Sequence, residues 1–340
     1  MRDLVVAGGG PVGLAAALYA ARAGLDVEVR ERRDGVIDKA CGEGLMPAAV
    51  AALAGLGVRP DGRPLTGIRY VDGRHAAEAA FRLGPGLGVR RTTLHGALRA
   101  AVAEAGVPVV VRPVREVTDH GDHVTVDGTP TRHLVAADGL HSPVRRLLGL
   151  EAPPPRVRRY GLRTHVMTAP WSGFVEVHWA HTAEAYVTPV ADNLVGVAVL
   201  STARRPLTEL LVQFPELSAR LDAAPTTEVR GAGPLRQRTR ARVAGRTLLV
   251  GDAAGYVDAL TGEGIAVGIA QAHAAVRAVV AGRPQDYEAA WRRICRRHDL
   301  LTAGLLTATR APMVRRHVVG AAARLPRVFD AAVHQLAGPA

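Results

Sequence analysis

Lysine is almost missing from this chain: Lys39 is the only one, so nearly all of the 43 basic side chains are arginine. We read this as a genome-level codon bias with no functional content. The two cysteines, Cys41 and Cys295, stand far apart and in no C-x-x-C pair. That spacing excludes a disulfide framework, a cysteine zinc site and a redox-active cysteine pair, and no metal site is expected. Aromatic residues make up only 4% of the chain and its basic residues are scattered. The interleaved basic and aromatic pattern of a single-strand binder is therefore absent, and the net charge of +12 does not point to nucleic acid. No apolar run reaches about 18 residues without a charge or a glycine, so no membrane span is expected. Met-Arg-Asp runs directly into an apolar strand, which leaves no room for a signal peptide, and the expected location is cytoplasmic.

What is present in quantity is small and apolar. With 340 residues and 48% hydrophobic content, the chain can bury a large core, and two intimately connected domains are expected. The informative stretch is Leu4 to Ala17, an apolar strand that breaks into glycines and continues as an alanine-rich helix. Gly8, Gly10 and Gly13 stand at G-x-G-x-x-G spacing. The first allows a tight turn, the second lets backbone approach a pyrophosphate, and the third lets helix pack on strand. A second strand, 26–30, ends at Glu31, where a carboxylate holds ribose hydroxyls. Strand, turn, helix, strand and acid together read as a dinucleotide cradle.

Further along, Asp38 to Pro47 is a compact glycine-containing turn, and Pro47 opens a helix through Leu53. Residues 67–81 alternate around Asp72-Gly73 and predict a hairpin in a second sheet. A helix capped by Thr92 or Thr93 carries Leu94, Leu98 and Val102 on one face. Residues 107–111 predict a buried strand, and 114–136 a β-meander. From Pro153 to about Arg240 two-residue alternation dominates, interrupted by a helix over 207–221. The buried strand 247–250 runs into Gly251-Asp252, Gly264 opens a small-residue helix to about Val280, and Pro312 and Pro326 break the helices after Asp286.

Three motifs in order, Gly8-x-Gly10-x-x-Gly13, Asp138-Gly139 and Gly251-Asp252, resemble the FAD enzymes that include the single-component aromatic hydroxylases and the geranylgeranyl reductases. The resemblance spans residues 1 to about 285. It implies an α/β fold: a Rossmann-like three-layer FAD domain (1–64, 88–152 and 241–285), an inserted β-sheet substrate domain (65–87 and 153–240) and a C-terminal helical region (286–340). It also implies that Glu31 meets the adenosine ribose, with Arg32 near the adenine and the backbone of Val114 beside it. Arg91, in an R-x-x-L-x-x-x-L pattern, corresponds to an arginine placed on FAD, and Asp252 to the ribityl-binding aspartate. Gly264 and Ile265 correspond to the loop at the flavin pyrimidine edge, where helix N-terminal amides stabilise negative charge. Asp138 is expected either to support FAD or nicotinamide or to cap the following helix. Lys39 and Glu43 are expected either in the active site or as a surface ion pair.

Two reactions compete on these residues, both with NADPH or NADH as a transient electron donor. Oxygen transfer to an aromatic, phenolic or polyketide-like metabolite is the favoured expectation, and reduction of an isoprenoid double bond is the alternative. The segments 39–43 and 252–265 resemble the reductases. The stretch Glu184-Ala185-Tyr186-Val187-Thr188-Pro189 keeps only the proline and one aromatic of the reductases' substrate motif, which argues the other way. Tyr186 is then either a pocket residue or a core tyrosine. A flavin-fold binding protein without turnover is a third reading, opposed by the intact glycines and Asp252. In the C-terminal region Arg292, Arg293, Arg296 and Arg297, with Arg315 and Arg316 behind them, fit either a solvated helix face or weak peripheral contact with an anionic bilayer.

Overall fold

The computed structural model of the protein describes residues 1–153, 157–221 and 227–338. Its central sheet runs, strand by strand, Val243–Ala244, Thr247–Leu249, Thr129–Ala136, Arg2–Ala7, Val27–Glu31 and Val109–Val111. From Thr247–Leu249 to Val109–Val111 all pairs are parallel, while Val124–Val126 and Val117–Asp119 add an antiparallel extension beside Thr129–Ala136. Parallel strands are covered on both faces. Leu4, Val5, Val6, Leu134 and Val135 are accordingly fully buried.

Four helices frame the glycine turn: α1 (Pro11–Arg22), α2 (Pro47–Gly55), α3 (Arg91–Glu104) and α4 (Pro143–Leu147). Pro11, Pro47 and Pro143 each occupy the first turn, where a missing N–H costs nothing. Two expectations fail here. Helix α3 begins at Arg91 with no side-chain cap, so neither Thr92 nor Thr93 caps it. The strand near 107–111 starts only at Val109 and ends on Val111, which is 58% exposed, because it is the sheet's outer strand.

The second sheet has seven strands in the order Arg230–Ala232, Tyr160–Val166, Leu194–Ser201, Ala183–Ala191, Phe174–Trp179, Gly67–Val71 and Ala76–Ala80, and the expected hairpin forms its last pair. Alternation splits its side chains between two layers. Ala183, Ala185, Val187, Val195, Val197 and Val199 face α5 (Leu207–Leu211) and α6 (Pro215–Leu221), where a single helix over 207–221 was expected. Pro215 starts the second of these, since its ring cannot continue the first. Trp179, Tyr186 and Leu200 face the opposite way, against Leu306, Val319 and Phe329.

Those last residues belong to the C-terminal helices. Helix α7 (Gly264–Val280) packs beside α1 and is followed by α8 (Asp286–Ala308), α9 (Pro312–Arg324) and α10 (Pro326–Ala337), which start at the expected prolines. Helix α8 turns Trp291 and Cys295 inward and leaves Arg292, Arg293, Arg296 and Arg297 exposed. Arg315 is no surface arginine: it reaches Glu184 in the second sheet at 2.7 Å and donates at 2.6 Å to the carbonyl of Ala180, in the turn that follows the strand Phe174–Trp179. A buried Glu184 needs such partners, and Arg159 supplies another at 2.5 Å.

A small third sheet, Gly44–Leu45, Gly86–Gly88 and Arg63–Leu65, joins the two large ones. At Gly88 a Cβ would stand 1.7 Å from the carbonyl oxygen of Pro189, so only glycine lets this sheet close on the seven-stranded one.

Candidate flavin site

The glycine turn is shaped as its spacing implies. Gly8 has φ +105° and a Cβ there would meet the carbonyl of Ala137 at 2.5 Å, while one at Gly13 would lie 1.9 Å from the carbonyl of Gly8. Gly10 differs: the nearest atom to its missing Cβ is Arg91 Nη2 at 4.0 Å, so its bareness opens space instead of relieving a clash. Helix α1 begins there with no side-chain cap, and its first amides remain available to an anion. Glu31 secures the turn, its Oε2 accepting from Gly9 N at 2.7 Å.

His95, which sequence reasoning passed over, anchors the same turn from α3. Its Nδ1 accepts from Ile37 N at 3.2 Å, which leaves the Nε2 proton to be donated to the Gly9 carbonyl at 2.8 Å. Burial holds its pKa below the ordinary histidine value and so favours this neutral tautomer. Its only signal in the sequence is a polar residue beside Leu94 on an otherwise apolar helix face. Arg145 was missed too. Fully buried on α4, it donates to the carbonyls of Leu140 at 2.9 Å and Ala253 at 3.0 Å, fastening the Asp138-Gly139 turn to the Gly251-Asp252 turn.

The predicted residues converge around this frame. Asp138 accepts from Val144 N at 3.0 Å through Oδ2, so it does cap α4, while its buried Oδ1 has no partner and burial pushes its pKa up. The Asp252 carboxyl is likewise pushed up by burial, against the opposing pull of Lys39, Arg91 and Arg145. Lys39 sits with Nζ 3.4 Å from where a Cβ of Gly139 would stand, and burial, with Arg91 and Arg33 nearby, holds its pKa below the ordinary lysine value. Arg91 presents a buried Nε without a partner. Gly264 and Ile265 form the first turn of α7, behind Gly262 at φ +71°. Arg32 is exposed beyond Glu31, and Val114 is half-buried against the core.

Lys39 and Glu43 do not pair with each other. Glu43, with φ +60° and 3% exposed, accepts from Arg91 N at 2.8 Å through Oε1 and meets His165 Nε2 at 2.7 Å through Oε2. Arg163, two residues before His165, grips Asp38 and donates to the Lys39 carbonyl at 3.2 Å. The second sheet therefore holds the 38–43 turn against the start of α3. Tyr186 is buried and donates its hydroxyl to the carbonyl of Leu260 at 3.0 Å.

A bare Gly10, an uncapped helix start, the unpartnered Arg91 Nε beside it and the unpartnered Asp138 Oδ1 suit a bound pyrophosphate with hydroxyl-bearing arms. The residues fit FAD. This is an FAD-binding fold, and the chain belongs to the FAD binding domain family, whose model matches residues 1–282. A menaquinone reductase of Mycolicibacterium smegmatis is 29% identical over 336 residues, 87% of this chain and 80% of that protein. Digeranylgeranylglycerophospholipid reductase 1 of Methanothermobacter thermautotrophicus is 29% identical over 338 residues, 86% and 82% of the two chains. Among solved structures, the p-nitrophenol 4-monooxygenase of Pseudomonas putida shares the fold with a TM-score of 0.81 at 20% identity, over 99% of this chain and 98% of that one. The chain is an FAD-dependent oxidoreductase.

Two predictions follow from the site's packing. Gly10→Val puts a β-branched residue at the N-cap of α1, so apo-protein stability should fall by up to about 1 kcal/mol, whereas FAD affinity should fall at least tenfold, about 1.4 kcal/mol. Fluorescence titration with FAD beside a urea melt measures both, and an unchanged FAD affinity would remove Gly10 from the cradle. The second concerns Glu263, whose carboxyl burial pushes up to about 8 with only Arg297 opposing. A carboxyl raised in the folded state binds a proton there that the unfolded chain has released, so its contribution to stability declines from the ordinary glutamate range up to about pH 8 and then levels off. Glu263→Gln should remove up to ~1.4 kcal/mol per pH unit of that slope, read as urea midpoints at several pH values. Parallel pH profiles for both proteins would contradict it.

Proposed function

We propose that this protein is a flavin-dependent reductase that saturates a double bond in an isoprenoid chain, drawing electrons from NADPH or NADH. The observation that carries the reading is an apolar cluster that meets the loop ahead of α7, Met46 Cε lying 3.7 Å from where a Cβ of Gly262 would stand. Met46, Tyr186, Leu200, Leu235 and Leu260 form one buried cluster with residues of α8 to α10. The ionisable groups around it are engaged with each other: Glu43 with His165, and Glu184 with Arg159 and Arg315. Oxygen transfer to a phenol calls for a group that handles the phenolic proton, and the Tyr186 hydroxyl already donates to Leu260. An apolar chain needs no such partner. Both relatives above carry names that describe reduction of molecules with isoprenoid chains, in agreement with the 39–43 and 252–265 segments.

FAD, when bound, supplies the hydride chemistry. Within that scheme Lys39 and Asp252 set the charge around the ribityl and pyrophosphate arms, and the Gly264 and Ile265 amides stabilise negative charge at the pyrimidine edge. Glu43 is a positioning residue for the 38–43 turn, and Tyr186 shapes the apolar wall through the loop before Gly262. Exposed Leu300, Met313, Leu325 and Val328, with Arg324 and Arg327 adjoining the last two, support weak contact with an anionic bilayer, where such substrates partition.

Anaerobic incubation with NADPH and a panel of polyprenyl compounds and phenols tests the reaction. A product two mass units heavier, formed without oxygen, is expected for a polyprenyl compound. Turnover that requires oxygen and adds sixteen mass units to a phenol would establish the monooxygenase instead. Salt-sensitive co-sedimentation with anionic liposomes, lost on Met313→Ser with Val328→Ser, is expected for the bilayer contact, and retention in the supernatant at low salt would refute it.

A further inference from the structure

A cavity of about 250 Å3 lies between α7, α8 and residues 236–242, adjoining the turn that carries Asp252. Gly251, Asp252 and Gly264 of the flavin site also belong to its lining, and the reaction proposed above gives the remaining groups no role. One wall is cationic. Arg242 is tied to Glu288 and lies 3.6 Å from the centre of the Trp291 ring, whereas Arg236 and Arg238 have no carboxylate within 4.0 Å among the described residues. The same wall holds three buried polar groups without partners: Arg242 Nε, Trp291 Nε1 and the Thr239 hydroxyl. Thr239 and Trp291 are 8% and 9% exposed, so bulk solvent does not reach these groups freely. The Thr239 oxygen lies 3.7 Å from where a Cβ of Gly255 would stand, and the bareness of that glycine helps keep the space open.

Little negative charge opposes this wall. Burial pushes the Cys295 thiol up to about 12, so it stays neutral. Asp299 is engaged with His298 Nδ1 at 3.3 Å, and the Asp252 carboxyl is within the influence of Lys39, Arg91 and Arg145. Two indole and guanidinium N–H groups, a hydroxyl and two uncompensated guanidinium groups around one small space call for a guest rich in acceptors and negative charge. We infer that this cavity binds a phosphate group, either the free anion or the end of a phosphomonoester. Its volume is below the ~300 Å3 at which drug-sized ligands begin to fit, which suits a phosphate with a short substituent and excludes a whole dinucleotide.

Trp291 makes the cavity observable without any turnover. In the FAD-loaded protein, titration with inorganic phosphate at constant ionic strength should change tryptophan fluorescence saturably, with half-saturation of ~1 mM or tighter. Arg236→Gln with Arg238→Gln changes side chains that are half-buried or exposed. The double variant should keep FAD content and Tm while weakening phosphate binding at least tenfold. Thr239→Val should weaken it as well. A tighter response to glycerol phosphate than to inorganic phosphate assigns a phosphomonoester, and the reverse order assigns the free anion. No saturable change, a change reproduced by chloride, or an unaltered response in the double variant would show a cavity that holds solvent only. None of these readouts depends on which substrate the flavin reduces.

Discussion

The Glu43 carboxylate is the contact on which the rest of the arrangement depends. One oxygen takes the first amide of α3, beside the arginine that faces the glycine turn, and the other meets His165 on the seven-stranded sheet. Its backbone carbonyl accepts from Val89 N at 2.8 Å, and the neighbouring Gly42 carbonyl accepts from the Thr188 hydroxyl at 2.8 Å. A buried carboxylate is tolerated only when both oxygens are satisfied, and removing a partner from such a group costs about 3–5 kcal/mol. Three sequence choices follow from this need. Residue 43 takes a left-handed φ despite having a side chain, residue 196 is glycine because a Cβ would stand 2.8 Å from Glu43 Oε2, and Arg163 sits two residues from His165 to hold the same turn by its backbone. The layer that carries the glycine turn and the seven-stranded sheet are thereby fixed to one another at the turn that carries Lys39 and Cys41.

Local features of the fold were legible in the sequence, and the reasons are physical. The glycine turn announces itself because each glycine has a separate steric or spatial duty within a few residues. The 67–81 hairpin, the start of α7 and the prolines opening α9 and α10 are likewise decided by neighbours in the chain. Legibility fails where a contact joins distant segments. His95 to Gly9, Arg145 to Ala253 and His165 to Glu43 span 86, 108 and 122 positions, and nothing in composition or periodicity marks them. Arg315 shows the same limit from the other side: its basic surroundings suggested a surface group, and only the approach of α9 to the second sheet reveals its partner Glu184.

The candidate site divides in the same way. The residues that cradle a dinucleotide were readable because their chemistry is generic, requiring bare backbone, a helix start and an acid at the end of the second strand. The packing beyond it was not, since it joins the 38–47 turn, the second sheet and three C-terminal helices. Its dominant property, a carbon-rich wall whose charged neighbours are already engaged, belongs to no single stretch.

The junction at Glu43 can be measured directly by hydrogen exchange over residues 36–46, with FAD affinity determined on the same samples. Glu43→Gln keeps one oxygen for the Arg91 amide but turns its NH2 toward His165 Nε2, which carries the ring proton because Nδ1 accepts from Arg163 Nη1 at 3.3 Å, so the account predicts a partial loss of protection and of FAD affinity. Glu43→Ala leaves both partners buried and unmatched, and faster exchange across this segment is expected together with weaker FAD binding. If Glu43→Ala instead leaves exchange over residues 36–46 and FAD affinity unchanged, the carboxylate does not hold the two layers together and the account is contradicted.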